Sequence, residues 1–349
     1  MRVLVVDDSA FMRKAITQML RSDPRIEVVG VARNGREALD AVRTHEPDVV
    51  TLDVEMPEMD GLTALRLIKR ESRARVIMLS SLTTEGSHAA LRAMNIGADD
   101  VMAKDTSQVS LSITRIQDEL VARVRALASA PHGMRHARRP ADAPDTAPPV
   151  FDASMFDLIC IGSSTGGPPV LETLARALPP TLRTPVVIAQ HMPAVFTASM
   201  AERLDGMCAL PVRHVDDGMP VDRSTVYVAP GGRHTHIRRV GFRAWRFGVT
   251  DQPRDALYRP SVDALLGSAA ETVGARTLAV ILTGMGADGF EGAKRLHALG
   301  GHIIAQSAET CVVYGMPKAV TENGLAGASL DPPRIGAVLA SAARSRSAA

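Results

Sequence analysis

The run Ile161-Gly162-Ser163-Ser164-Thr165-Gly166-Gly167 follows the apolar stretch Asp157–Cys160 and leads into a helical pattern that starts at Pro168. Such a segment has to run as a strand, bend within a few residues and enter a helix, and glycines on both sides of a serine permit that bend. The spacing Gly-x-Ser-x-Gly places the serine hydroxyl at the apex of the turn, out over the edge of a sheet. Backbone N–H groups at the start of the following helix would face a developing oxyanion. Turns of this composition also cradle phosphates, and many only close a fold, so the motif by itself leaves a nucleophile and an anion cradle both open.

Two further loops add context. Thr184–Gln190 is a short apolar run of the kind that forms a buried parallel strand, and it delivers His191-Met192-Pro193 at its C-terminal end. Thr277–Thr283 is another, ending in Gly284-Met285-Gly286-Ala287-Asp288-Gly289. In an open α/β sheet ligands bind beyond the carboxyl ends of the strands, so these three loops are expected to converge and bring Ser164, His191 and Asp288 together. The chain order Ser, His, Asp differs from the Ser, Asp/Glu, His order of the α/β-hydrolases and would be a separate solution to the same geometry.

At 349 residues the chain is long enough for two domains. Hydrophobic residues make up 46% but aromatics only 3%, so the cores must be built from Val, Leu, Ile, Ala and Met. A net charge of +2 is too close to balance to argue for nucleic-acid or membrane partners, and the second half is as balanced as the whole. Neither nucleic-acid binding nor membrane insertion is expected. The three cysteines, Cys160, Cys208 and Cys311, are far apart and form no CxxC, which reads as reduced residues of a cytoplasmic protein. No apolar run reaches transmembrane length, and the chain begins directly with a strand pattern rather than a signal peptide.

Between Ala128 and Pro149 there are five prolines and few large apolar residues, which predicts an extended linker. Its basic cluster (Arg135, His136, Arg138 and Arg139) reads as a solvated stretch of that linker. The tail from Ala340 has a similar composition.

The first half carries its own constellation. Arg2–Val6 predicts a strand ending at Asp7-Asp8, with Ser9 as N-cap of a helix through Leu20. Further strands are expected over Pro47–Leu52, ending at Asp53, over Val76–Leu79, ending at Ser80-Ser81, and over Asp100–Ala103, ending at Lys104. Helical patterns lie between them at Gly35–Arg43, Gly61–Arg70 and Gly86–Asn95. Alternating βα units make a doubly wound parallel sheet with all these strand ends on one edge. Carboxylates packed that closely repel one another unless a divalent cation sits among them, and a hard, oxygen-liking ion such as Mg²⁺ suits them. Asp53 could then act as a nucleophile towards phosphorus, with Lys104 and the Ser80 hydroxyl holding the phosphoryl oxygens.

These residues carry a resemblance. Residues 1–122 resemble a response-regulator receiver domain in Val5-Val6-Asp7-Asp8-Ser9, Leu52-Asp53-Val54-Glu55-Met56-Pro57-Glu58-Met59-Asp60-Gly61, Met78-Leu79-Ser80-Ser81 and Gly97-Ala98-Asp99-Asp100-Val101-Met102-Ala103-Lys104. Residues 154–340 resemble the catalytic domain of chemotaxis protein-glutamate methylesterases, with 123–153 as the linker. The matching runs are Ile161–Gly167, Gln190-His191-Met192-Pro193, Tyr227-Val228-Ala229-Pro230-Gly231, Arg259-Pro260-Ser261-Val262-Asp263, Ile281–Gly289 and Cys311–Pro317.

The resemblance implies two doubly wound α/β domains, a flavodoxin-like receiver and a Rossmann-like catalytic domain. It implies Ser164 as nucleophile, His191 as general base and Asp288 as its orienting partner. The oxyanion would be held by the N–H of Thr165 and a second donor from the His191 or Met285 loop. In the receiver it implies Asp53 as phosphoacceptor, and Mg²⁺ held by Asp8, Asp53 and the Glu55 carbonyl with Asp7 in support. The implied activity is hydrolysis of glutamyl γ-methyl esters on methyl-accepting chemotaxis receptors, and deamidation of receptor glutamines, with a chemotaxis histidine kinase as phosphodonor. The receiver is expected to cover the Ser164 cleft until Asp53 is phosphorylated. Arg259 would either guide acidic receptor helices or form a structural ion pair. Two departures bear on the phosphorylation switch: Asp105 stands where receivers usually have proline, and Val101 where they usually have Tyr or Phe. The competing readings are a receiver joined to a binding module without hydrolase activity and a DNA-binding response regulator. The latter lacks any sequence cue for a recognition helix.

Overall fold

The structure, a computed structural model, describes residues 1–104, 111–130, 155–241, 244–254 and 256–341. The chain divides into two units, Met1–His132 and Gly133–Ala349. Asp105, the basic cluster at Arg135, His136, Arg138 and Arg139, and most of the expected linker and tail lie outside the described residues.

In the first unit, strands β1 (Arg2–Val6), β2 (Glu27–Ala32), β3 (Val49–Asp53), β4 (Arg75–Ser81) and β5 (Asp100–Lys104) alternate with helices. These are α1 (Ala10–Leu20), α2 (Gly35–His45), α3 (Gly61–Glu71), α4 (Thr84–Ile96) and α5 (Leu111–Ser129). The strands form one parallel sheet in the order β2-β1-β3-β4-β5. Val3–Val6 and all of β3 are buried, as strands covered on both faces must be. Four helices begin at a side chain that accepts a first-turn N–H: Ser9 from Met12, Asn34 from Glu37, Asp60 from Thr63 and Thr83 from Gly86. The strand order reverses at β1, so the ends of β1 and β3 flank the crevice where such sheets bind ligands.

Residues 123–129, read from the sequence as linker, are the last turns of α5. Val124 and Leu127 are fully buried, and the buried Arg123 guanidinium donates to Asp100 Oδ2 at 2.6 Å and Glu119 Oε1 at 2.6 Å. The bond from Arg123 to Asp100 of β5 and the burial of Val124 and Leu127 tie the chain down as helix beyond the point where its motifs end.

The second unit holds β6 (Leu158–Ser163), α6 (Gly167–Ala177), β7 (Val186–Gln190), α7 (Ala194–Asp205), β8 (Val212–His214) and β9 (Val226–Val228). An antiparallel hairpin follows, β10 (His234–Val240) and β11 (Ala244–Thr250), which the sequence reading did not anticipate. Then come α8 (Val262–Thr272), β12 (Thr277–Ile281), α9 (Phe290–Ala298), β13 (His302–Gln306), α10 (Met316–Glu322), β14 (Ala328–Leu330) and α11 (Pro332–Ser341). Seven strands form a wholly parallel sheet in the order β14-β13-β12-β6-β7-β9-β8. The central strands β12, β6 and β7 are buried along their whole length. Chain direction diverges to either side of β6 and β12, which makes that point the switch of the sheet.

The core against this sheet is aliphatic around two large aromatics, Tyr227 and Phe247, whose rings meet edge-on at 4.7 Å. All three cysteines are free; burial pushes the Cys311 thiol up to about 12 and the Cys160 thiol further, so both stay protonated at neutral pH. Among the described residues no helix is long and apolar enough to cross a membrane.

Candidate active site

Strands β6 and β7 pair with Ser163 opposite Gln190, so the next residues, Ser164 and His191, leave the sheet side by side. The His191 N–H donates to the Ser163 carbonyl at 3.1 Å. Ser164 is held at its backbone on several sides. Its N–H donates to Thr283 O (3.0 Å), and its carbonyl accepts from Gly167 N (2.9 Å) and from Gln190 Nε2 (2.9 Å). The Gln190 side chain is itself fixed, since Ser163 Oγ donates to its Oε1 at 2.6 Å. The turn that follows needs Gly166, whose φ of 78° lies in the left-handed region.

The third loop leaves β12 and passes directly under the serine. A Cβ on Gly284 would lie 2.8 Å from Ser164 Cβ, so only glycine allows this approach. Thr283, fully buried, ties the loop to its neighbours: its Oγ1 donates to Thr165 O at 2.9 Å and accepts from the N–H groups of Val312 and Val313. Thr165 is buried beside Ser164, and Met285 is half-buried directly after Gly284. Thr165 therefore follows Ser164 along the chain, whereas Met285 belongs to the loop that Gly284 brings against it.

Asp288 meets His191 at the N-terminus of α8. Its Oδ2 lies 2.7 Å from His191 Nε2 and accepts from Val262 N at 2.7 Å. Its Oδ1 accepts from Ser261 Oγ (2.9 Å), Asp263 N (3.0 Å) and Gly289 N (3.1 Å). Burial pushes this carboxyl up, but the imidazole and the helix N–H groups outweigh it and hold the group low, at about 2. The charged form is thus secured where a base needs an anion behind it. On the other side of the imidazole, Nδ1 is buried and has no hydrogen-bond partner among the described residues. Tyr258 stacks on the ring, with centroids 4.3 Å apart and planes 10° from parallel.

Ser261 and Tyr258 were not picked out from the sequence. Ser261 had a local signal, a serine before a helical pattern, and it is indeed the N-cap of α8, accepting from Ala264 N. Tyr258 had none. Arg259, expected at the substrate or in an ion pair, donates from Nη2 to Arg254 O at 2.7 Å, and its carbonyl accepts from Gly232 N.

In the first unit, Asp7, Asp8 and Asp53 offer carboxylate oxygens that all lie within 4.8 Å of one another. Lys104 bridges the two buried members, 2.6 Å from Asp7 Oδ2 and 2.6 Å from Asp53 Oδ1. Burial pushes the Asp53 carboxyl up; Lys104 and the Glu55 N–H pull it back without cancelling the rise, and Asp7 adds to it. Asp8 is exposed and leaves the pocket open to solvent. Ser80 is buried at the end of β4, but its hydroxyl donates to Gly86 O at 2.8 Å. Glu55 is exposed on the loop after β3. Val101, in the place of an aromatic residue, is buried within β5.

Comparison with known proteins agrees with both halves. Residues 159–339 match the family model described as CheB methylesterase, and residues 3–114 match that of the response regulator receiver domain. The chain is 46% identical to protein-glutamate methylesterase/protein-glutamine glutaminase 1 of Oleidesulfovibrio alaskensis, covering 95% of this chain and 96% of the relative. It is 47% identical to protein 2 of the same name from Nitratidesulfovibrio vulgaris, covering 94% and 95%. The crystal structure of the Thermotoga maritima CheB methylesterase catalytic domain aligns with a TM-score of 0.51 at 42% identity, over 53% of this chain and 97% of that one. Two matched domains in one order, with relatives alike over nearly the full length, place the chain in the protein-glutamate methylesterase/protein-glutamine glutaminase family, whose catalytic part is the CheB methylesterase domain.

Proposed function

We propose that the second unit hydrolyses glutamyl γ-methyl esters on methyl-accepting chemotaxis receptors and deamidates receptor glutamines, with Ser164, His191 and Asp288 carrying the reaction. The supporting observation is the held pair of His191 Nε2 and Asp288 Oδ2 at 2.7 Å beside a serine at the next strand end. His191 Nδ1 takes the proton from Ser164 Oγ as the oxygen attacks the side-chain carbonyl carbon. The tetrahedral oxyanion is held by the N–H of Thr165 with a second donor from the Met285 loop, each worth ~3 kcal/mol to the transition state. The imidazolium passes its proton to the departing methoxide, releasing methanol, or to departing ammonia when the substrate is glutamine. Water, deprotonated by the same nitrogen, resolves the acyl-enzyme and returns Ser164. Asp288 keeps the proton on Nε2 throughout and stabilises the charged ring.

The first unit acts as the control element, phosphorylated on Asp53 by a chemotaxis histidine kinase. The acidic pocket fits Mg²⁺: it offers hard oxygen donors, one of them exposed. Asp8, Asp53 and the Glu55 carbonyl would hold the ion, with Asp7 in support. Bound there, the ion would supply positive charge to offset the carboxylates and an incoming phosphoryl group. Lys104 is placed to follow the phosphoryl oxygens, and Ser80 reaches them by turning from Gly86.

The test is methanol release from receptors methylated with a labelled donor, comparing wild type, Ser164→Ala and Asp53→Asn, each with and without a small-molecule phosphodonor. Release should depend on Ser164 and rise with phosphodonor only when Asp53 is present. Release that persists in Ser164→Ala rejects the triad, and a phosphodonor response that survives Asp53→Asn rejects the control element.

A further inference from the structure

Among the described residues the imidazole of His191 is anchored at one nitrogen. A single hydrogen bond from Nε2 to Asp288 leaves the ring free to pivot about that contact, and a pivot moves Nδ1, the nitrogen that has to meet Ser164. A second constraint is therefore needed, and the face-on stack of Tyr258 at 4.3 Å and 10° supplies it. The His191 side chain is only 3% exposed, so the phenol also helps to keep water off the base.

Tyr258 is well placed for this role. The segment that carries it is tied on its C-terminal side, where Ser261 N donates to His234 Nδ1 at 3.2 Å and Arg259 O accepts from Gly232 N at 3.1 Å. Its far end reaches the Gly284–Gly286 loop: a Cβ on Gly286 would lie 3.8 Å from the Tyr258 hydroxyl. The ring thus spans from the imidazole to the loop beneath Ser164. When His191 takes a proton, the resulting cation lies against an aromatic face, which attracts it.

We infer that Tyr258 is a positioning residue for the hydrolysis, holding the plane of the His191 ring so that Nδ1 is presented to Ser164. The inference rests on the triad reading above and adds to it a residue that acts through the imidazole. The ring does the work, so phenylalanine should substitute for it and alanine should not.

The experiment compares full-length wild type, Tyr258→Ala and Tyr258→Phe for methanol release from methylated receptors and for the rate at which a serine-directed fluorophosphonate labels Ser164. Thermal unfolding of each variant establishes that it is folded. Tyr258→Ala is expected to lower kcat and the labelling rate by roughly 10- to 100-fold, the scale of a misplaced catalytic group. KM for the receptor should stay within about twofold, the mark of lost transition-state rather than ground-state interaction. Tyr258→Phe should recover both rates to within about threefold of wild type. Labelling and kcat unchanged in Tyr258→Ala would overturn the inference. So would a variant that changes KM alone, or a Tyr258→Phe as slow as Tyr258→Ala, since either outcome assigns the role to substrate contact or to the hydroxyl. Failure of the triad reading has a different signature: wild type and Ser164→Ala would then release methanol alike.

Discussion

His191 turns Nε2, not Nδ1, towards Asp288, with 2.7 Å between the nitrogen and Oδ2. Nδ1, the nitrogen nearer the backbone, is the one left for the proton transfer proposed at Ser164, with Asp288 fixing the tautomer in that reading. Asp288→Asn keeps the shape of the contact but offers an N–H or a neutral oxygen to the imidazole. Methanol release should fall by about 10³- to 10⁴-fold in kcat, as expected when an orienting carboxylate is lost. A loss below about tenfold would show that the carboxylate does not set the tautomer.

Gly284 passes so close to Ser164 that a methyl group has no room. In Gly284→Ala the new carbon meets Met316 Sδ at 2.3 Å and Ser164 Cβ at 2.8 Å. Met316 can bend away, whereas Ser164 is pinned by its backbone bonds. Overpacking of this kind costs about 1–3 kcal/mol of stability. Activity should fall further than stability, by about 100-fold in kcat, because the strain that Met316 does not relieve falls on the turn carrying the proposed nucleophile, Ser164. Parallel melting curves and ester hydrolysis separate the two effects.

Gln190 holds two groups of the serine turn at once, the Ser164 carbonyl and the Ser163 hydroxyl. Gln190→Ala leaves the Ser164 carbonyl with Gly167 N alone and strands the buried Ser163 hydroxyl, at a cost of about 1–3 kcal/mol for an unsatisfied polar group. Chemical denaturation should show a lower midpoint with an unchanged slope, and an unaltered midpoint would contradict the network.

Asp263 sits beside Asp288, and burial, with the Asp288 charge, pushes its carboxyl up to about 6. Its folded value lies above the ordinary 3.8, so the folded state holds an extra proton between the two. That contribution is full below pH ~4 and is lost as pH rises through ~6. Asp263→Asn keeps an oxygen for the Gly292 N–H and has no charge to bury. It should match wild type near pH 4 and gain about 1 kcal/mol by pH 7.5, after allowing for solvent screening of a partly exposed group. Urea midpoints across this range read the difference, and parallel curves would refute the pairing.

Lys104 joins Asp7 to Asp53, so Lys104→Met leaves two buried carboxylates facing each other. The variant should melt below wild type without divalent ions, by the equivalent of about 2–4 kcal/mol. Mg²⁺ should restore more stability to it than to wild type, because the ion replaces the missing positive charge. A Mg²⁺-induced rise in Tm no larger than that of wild type would argue against cation binding among these carboxylates.

Much of this molecule was legible in its linear order because the signals are local. An apolar run buried on both faces reads as a parallel strand, and in such sheets function gathers at strand ends. Asp7, Asp8, Asp53 and Lys104 could thus be assigned to one edge, and Ser164, His191 and Asp288 to another. Other features depend on contacts between distant segments. The end of α5 is set by the hold of Arg123 on Asp100, not by its own composition. The hairpin β10–β11 carries only a short alternation, which its aliphatic and basic residues obscure.

The sequence by itself determined which chemical groups stand at the ends of which strands, since strand, turn and cap depend on neighbours a few residues away. Only the tertiary structure decided how those groups face one another. It set Nε2 rather than Nδ1 of His191 against Asp288, seated Asp288 on the N-terminus of α8, and laid Tyr258 over the imidazole. Ring orientation and stacking depend on side chains brought together by the closing of the fold, and no local pattern encodes them.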